Sequence, residues 1–181
     1  MHSIETQHFP TPFGELLLGT FQGKLCLCDW RYRAMRSAID KRIQKGLNAE
    51  YREQDNEMLA ETRKQLGEYW SGARLDFTLP LAFVGTEFQQ RVWRELQNVG
   101  YGETSTYLAL SEKLGNKDAI RAVASANGAN AISIIVPCHR IIGSDGSLVG
   151  YAGGLPAKKK LLTLENPHFA RQFAEQAALE F

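Results

Sequence analysis

Several things are scarce in this sequence, and each scarcity removes a class of protein. Cysteine occurs only three times, at Cys26, Cys28 and Cys138, an odd and small number that argues against a disulfide framework. At least one thiol is left for chemistry or burial, and reducing surroundings are implied. No run approaches the roughly 18 apolar residues needed to span a bilayer, and no apolar core of a signal peptide follows Met1-His2-Ser3. A cytoplasmic protein without membrane contact is expected. Neither sign of charge dominates: 21 Lys and Arg against 20 Asp and Glu leave +1. The whole molecule therefore exerts no bulk pull on a polyanion, and any nucleic-acid contact must come from local basic residues. Internal repeats and low-complexity tracts are missing. Gly146, Gly150, Gly153 and Gly154 lack the spacing of a phosphate cradle, and no paired carboxylates suggest a magnesium site, so no cofactor is expected.

What is present is an ordinary globular composition, 44% hydrophobic and 23% charged over 181 residues, enough for one large domain or two small ones. The first thirty residues predict strands at Ile4–Phe9, Glu15–Thr20 and Lys24–Trp30, with a break at Pro10-Thr11-Pro12 and a turn at Gln22-Gly23. Helical spacing follows over Met35–Leu47 and Asn56–Trp70, and Leu75–Phe83 reads as extended. These segments make a small α+β unit, residues 1–83. A boundary near 80–85 opens a second unit, 84–166, whose first helix, Glu87–Asn98, is capped by Thr86 and stopped at Gly100-Tyr101-Gly102. Thr106–Leu114, the turn Gly115-Asn116-Lys117 and Asp118–Asn127 have the spacing of a helix-turn-helix. The second of these helices carries tiny side chains almost all round, which suits either close approach to another surface or tight packing in a core. Pro156–Glu165 predicts a further helix, and 167–181 a short amphipathic tail to which no role is assigned.

The chemistry concentrates in Pro137-Cys138-His139-Arg140, which follows the almost uncharged run Ala131–Val136. Proline fixes its own φ and biases Val136 toward extended geometry, so the chain is expected to leave a buried strand and turn sharply at the cysteine. Adjacency of a thiol and an imidazole is more often structural than catalytic. Glu165, on a leucine-rich helix, changes the weighing, because its burial is costly without a partner. In a Glu–His–Cys relay the carboxylate orients the imidazole, which draws the thiol proton directly or through a water to give a soft nucleophile. Cys26 and Cys28, at i and i+2, are expected to share one face of a strand, with His8 on a neighbouring one. Three ligands fall short of a structural zinc, and a plain buried strand is the simpler reading, so no metal is assigned.

In order and spacing, Pro137-Cys138-His139-Arg140, preceded by Asn130 and Ile134-Ile135-Val136 and followed by Tyr151-Ala152-Gly153-Gly154 and Leu161-Leu162, resembles the signature of the O6-alkylguanine-DNA alkyltransferases. The resemblance covers nearly all of 86–166 and is looser before that. It implies a ribonuclease H-like N-terminal α/β unit followed by a mainly helical, winged-helix-like unit carrying the helix-turn-helix. It also implies single-turnover repair of O6-alkylguanine, with O4-alkylthymine a further substrate. Cys138 would accept the alkyl group, His139 and Glu165 would complete the relay, Asn130 would brace the turn, and Tyr107 would donate to a ring nitrogen of the flipped base. Arg121 would fill the gap in the base stack, with Ala122, Ala124, Ser125, Asn127 and Arg140 also meeting DNA in the minor groove. The Ile141 carbonyl would meet the guanine amino group, and Tyr151, Ala152 and Lys158 would wall the base. Ala152 stands where several members have serine, which removes a hydroxyl contact but keeps the backbone N–H. The partner implied is double-stranded DNA bearing alkylated bases, bound by a monomer.

Three other readings stay open on sequence. A lesion binder without transfer would need no cysteine, whereas Cys138 is kept. A cysteine hydrolase would use the same three residues, but no oxyanion donor set is identifiable. A plain transcription-factor module would treat Cys138 as core packing, and its small-residue helix is poorly suited to reading base edges.

Overall fold

A computed structural model describes residues 2–179. Its N-terminal part is a four-stranded sheet in the order β3-β2-β1-β4, where β1 is His2–Thr11, β2 Gly14–Phe21, β3 Lys24–Trp30 and β4 Ala49–Glu53. β1–β2 and β2–β3 are antiparallel hairpins and β4 runs parallel to β1. Of the break expected at Pro10-Thr11-Pro12, Pro10 and Thr11 still pair, with Glu15 and Gly14, and the reversal is made at Pro12-Phe13, the Thr11 hydroxyl donating to the Gly14 carbonyl. β4 was not anticipated: five residues with one buried side chain carry little period-two signal.

Helix α1, Arg36–Leu47, buries Ile39 and Ile43, and α2, Glu57–Trp70, buries Leu59, Leu66 and Tyr69 after an Asn56 side-chain cap. Helix α3, Glu87–Leu96, starts from a complete Thr86/Gln89 capping box and is shorter than expected, its last residues relaxing into tight turns. The helix-turn-helix comprises α4, Tyr107–Lys113, a 3-10 turn at Lys117–Ala119 capped by Asn116, and α5, Ile120–Gly128. Helix α6, Leu155–Glu165, has Pro156 in its first turn, and α7, His168–Leu179, sets Phe169 and Phe173 against Leu162, Ile142 and Leu148. Phe181, the end of the expected tail, lies outside the described residues.

One expectation fails where it matters most. Ala131–Val136 is not a strand. Only Ile132 bridges to Cys28, and the chain then folds back on itself, Val136 N–H donating to the Ile132 carbonyl at 3.0 Å. The reversal passes through Ile134 at φ 73°, a left-handed conformation costly for a β-branched residue. Every residue from 131 to 140 is buried, so the surroundings hold that geometry.

A second correction concerns the paired cysteines. β2 and β3 are in register with Thr20 opposite Leu25 and Gly19 opposite Leu27, so Cys26 is an extra, bulged residue. The bulge turns Cys26 into the cluster of Ile4, Ile39 and Ile43, while Cys28 faces the larger core with Trp30 and Trp93. They share no face, and His8 is paired with Glu15 at 3.8 Å instead. Among the described residues no three His, Cys, Asp or Glu side chains cluster as metal ligands, and no helix is long and apolar enough to cross a membrane.

The free edge of β3 is closed by two connectors, 80–82 and 131–133, which hydrogen-bond to Leu25 and Cys28. The larger core runs without interruption from Leu16, Leu18 and Trp30 through Tyr69 to Val92, Val123, Cys138 and Leu161. The position expected for a domain boundary thus lies in an extended connector whose flanks share one core.

Candidate active site

Cys138 opens a 3-10 turn, Cys138–Arg140, directly after the folded-back segment. Its backbone is fixed by Asn130, whose side-chain amide donates to the Val136 carbonyl at 2.9 Å while its Oδ1 accepts from Ile132 N–H at 3.0 Å. Asn130 thus ties the start of the folded-back segment to its end, just before the turn. The thiol is only 3% exposed, yet it lines a cavity of about 330 Å³ with Tyr107, Asn127, Tyr151 and Ala152. That volume is in the range of small-ligand sites and admits a purine.

His139 is wholly buried, and its Nε2 lies 2.7 Å from Glu165 Oε1. A carboxylate only accepts, so Nε2 carries the hydrogen and Nδ1 is left as the basic lone pair. Nδ1 is buried with no protein partner. Burial, partly offset by Glu165, holds the imidazole below its ordinary pKa, so it rests neutral and able to take a proton. Glu165 also accepts from Tyr69 at 2.8 Å and from Arg140 through Nε and Nη2, both at 2.9 Å. Desolvation works against its ionisation, but His139 and Arg140 outweigh it and take the carboxyl down to about 2.

The cysteine itself differs from a standing thiolate. Burial pushes its pKa up, with the Asn130 hydrogen bond and the charges of Arg33 and Lys158 opposing and Asp29 reinforcing. The resting group is a thiol, and ionisation belongs to the reaction. Lys158 is fully buried, its Nζ donating to the Ile141 and Val149 carbonyls, and desolvation lowers it to about 8. It ties both ends of the 142–149 loop to α6. Tyr151 is held by the Trp30 indole N–H at 3.1 Å, and Gly153 lies so close to that indole that a Cβ there would sit 2.6 Å from it.

Of the residues expected on DNA, Arg121, Ala122 and Ser125 are exposed on α5 and Ala124 is half-buried. Two are elsewhere. Arg140 is 6% exposed and engaged with Glu165 and, at 2.6 Å, with the Val99 carbonyl, so it is a structural strut rather than a DNA contact. Asn127 is 5% exposed and lines the cavity rather than the outer face of α5.

Sequence reasoning missed the contribution of the N-terminal half. Arg33, Ala34 and Met35 form part of the cavity wall. Buried Asp29 accepts from Arg33, from Arg36 at 2.8 Å and from the Ser133 hydroxyl at 3.1 Å, while Arg33 also donates to the Asn130 carbonyl and Arg42 to that of Ala129. The signal available was Asp29 in an otherwise apolar strand, a charge that needs partners if buried.

Residues 87–167 match the family described as 6-O-methylguanine DNA methyltransferase, DNA binding domain. A methylated-DNA–protein-cysteine methyltransferase of Mycolicibacterium paratuberculosis is 51% identical over 105 residues, 58% of this chain and 64% of that protein. The constitutive enzyme of that name from Bacillus subtilis is 38% identical over 154 residues, covering 84% of this chain and 88% of its own length. Among solved structures, Mycobacterium tuberculosis OGT in complex with DNA superposes with a TM-score of 0.77 at 34% identity, covering 90% of this chain and 93% of the other. With a buried cysteine, imidazole and carboxylate set on this fold, and with relatives matched over most of their length, the chain belongs to the methylated-DNA–protein-cysteine methyltransferase family.

Proposed function

We propose that this protein repairs DNA by moving the alkyl group of O6-alkylguanine, and of O4-alkylthymine, irreversibly onto Cys138. The observation that carries the reading is a thiol on the wall of a base-sized cavity, followed in the same 3-10 turn by an imidazole whose Nε2–H is committed to Glu165 and whose Nδ1 is bare.

The thiol proton passes to His139 Nδ1, directly or through a water. Sγ attacks the alkyl carbon, the S–C bond forming as the C–O6 bond breaks. The electron pair of that bond leaves with guanine, whose growing negative charge is eased by the Tyr107 hydroxyl donating to a ring nitrogen. The proton taken from sulfur ends on guanine, so thiol and O6-alkylguanine become thioether and guanine with nothing left over. No step hydrolyses the thioether, so each molecule acts once. Lys158 and Arg33, both cationic, favour the transient thiolate.

Duplex DNA is met by α5 in the minor groove as a monomer, Arg121 entering the stack while the exposed Ala122 and Ser125 permit close approach. In this reading 1–83 is a ribonuclease H-like support, 84–166 a winged-helix-like unit that binds and reacts, and the tail a brace on α6.

Mass spectrometry after incubation with an O6-methylguanine duplex tests the proposal. One methyl on Cys138, lost in Cys138→Ala, is the expected result. Methyl on Cys26 or Cys28, or repeated turnover, would overturn it.

A further inference from the structure

Asn127 was expected on the DNA-facing side of α5, yet it closes the inner end of that helix and faces the cavity. Its amide lies in the last turn of α5, and Tyr107 opens α4, so two packed helices bring an amide and a phenol to one wall beside Cys138. Oδ1 of Asn127 is buried and accepts no hydrogen bond from the protein. A buried acceptor left unpaired costs about 1–3 kcal/mol, a cost that a ligand donor can remove. The position is rigid, because Arg33 holds the Gly128 and Asn130 carbonyls just beyond it.

The chemistry of the ligand narrows what can meet that acceptor. In an everted O6-alkylguanine the ring nitrogens N1, N3 and N7 are all acceptors, and the only donor on the base is the 2-amino group. Resting on the repair function above, we propose that Asn127 is a base-recognition residue, its Oδ1 accepting from the 2-amino group and its amide N–H donating to the Tyr107 phenol oxygen. The two contacts reinforce each other. Donation to the phenol oxygen turns the Tyr107 proton away from Asn127 and toward the base, where it is needed. The same contact also works against the upward push of burial on the Tyr107 hydroxyl.

The test compares two duplexes, one carrying O6-methylguanine and the other O6-methylhypoxanthine, the same lesion without the amino group. Single-turnover methyl transfer to Cys138 is timed for wild type and Asn127→Leu. Wild type should favour the guanine lesion, and Asn127→Leu should shrink that preference about tenfold, the equivalent of one good hydrogen bond. Because both rates come from one preparation, a reduced folded fraction cancels in the ratio, and Asn127→Ser provides the same comparison if the leucine variant does not fold. An unchanged ratio, including equal slowing on both duplexes, overturns the assignment. Absence of transfer by wild type from either duplex would instead remove the repair function on which it rests.

Discussion

Glu165 stabilises the fold through the same contacts on which its proposed part in the chemistry depends. It is 7% exposed and accepts from His139, Tyr69 and Arg140 together, so an otherwise expensive buried charge is fully partnered. Because its carboxyl falls to about 2 in the folded protein, it contributes stability that is complete above the ordinary range near 4.5 and is lost as pH drops toward 2. The contribution is on the order of 3 kcal/mol. Urea denaturation across pH 5 to 2 should show wild type losing that much, with Glu165→Gln less stable at pH 5 and flatter through the window. The same variant should transfer methyl about a hundredfold more slowly, since the imidazole loses the partner that fixes its tautomer. Arg140 makes the complementary case. Arg140→Met takes the cation away from buried Glu165 and the side-chain donor from the Val99 carbonyl, and should cost about 3–5 kcal/mol in denaturant titrations. The salt dependence of DNA binding should stay as in wild type, because the guanidinium is buried within the protein; a shallower slope would return Arg140 to the DNA interface.

At the scale of elements, the 142–154 segment depends on contacts from distant parts of the chain. Lys158 holds it from α6, Trp30 holds Tyr151 from the end of β3, and Gly153 permits the indole to lie against its backbone. Gly153→Ala should therefore displace Trp30, destabilise the fold by about 1–3 kcal/mol and slow transfer, checked by thermal melting and single-turnover assay. A neutral outcome would mean that the loop relaxes independently of β3. Elements with strong local signals were legible beforehand: α2 through its apolar spacing, α3 through its Thr86 cap, and the β2–β3 hairpin through its Gln22-Gly23 turn. Ala131–Val136 was misread because a run of buried aliphatic residues looks the same whether it pairs or folds back, and the left-handed Ile134 has no local signature. The site divides in the same way. Cys138, His139 and Glu165 were readable from a compact motif and a costly buried acid, whereas Tyr69 and Arg33–Met35 reach the site only through tertiary packing. Asn127 faces the cavity rather than the outer side of α5, a placement set by how α5 packs beside Tyr107 of α4 and not by any local residue signal.

For the whole molecule, the question is whether the C-terminal part that holds the motif can stand alone. The family match begins at residue 87, and an extended connector precedes it, which invites the view that 84–179 is self-sufficient. Packing argues otherwise. Leu16, Leu18, Leu25, Trp30 and Tyr69 belong to the same core as Val92, Val123 and Cys138, and burying each such side chain is worth about 1.5–3 kcal/mol. Removing that half of the core forfeits an amount comparable to the 5–15 kcal/mol by which whole domains are stable. It also takes away Asp29, Arg33 and Arg42, whose hydrogen bonds hold Ser133, Asn130 and Ala129 around the reactive turn. The intact chain should therefore melt in a single cooperative transition, with near-ultraviolet circular dichroism and Cys138 reactivity lost at the same temperature. A fragment beginning at residue 84 should show no cooperative melt and no methyl transfer, and adding residues 1–83 in trans should restore both to a measurable extent. A fragment that melts cooperatively and methylates Cys138 unaided would show that the N-terminal sheet is an accessory, and that the hydrogen bonds from Asp29 and Arg33 are not what aims the sulfur.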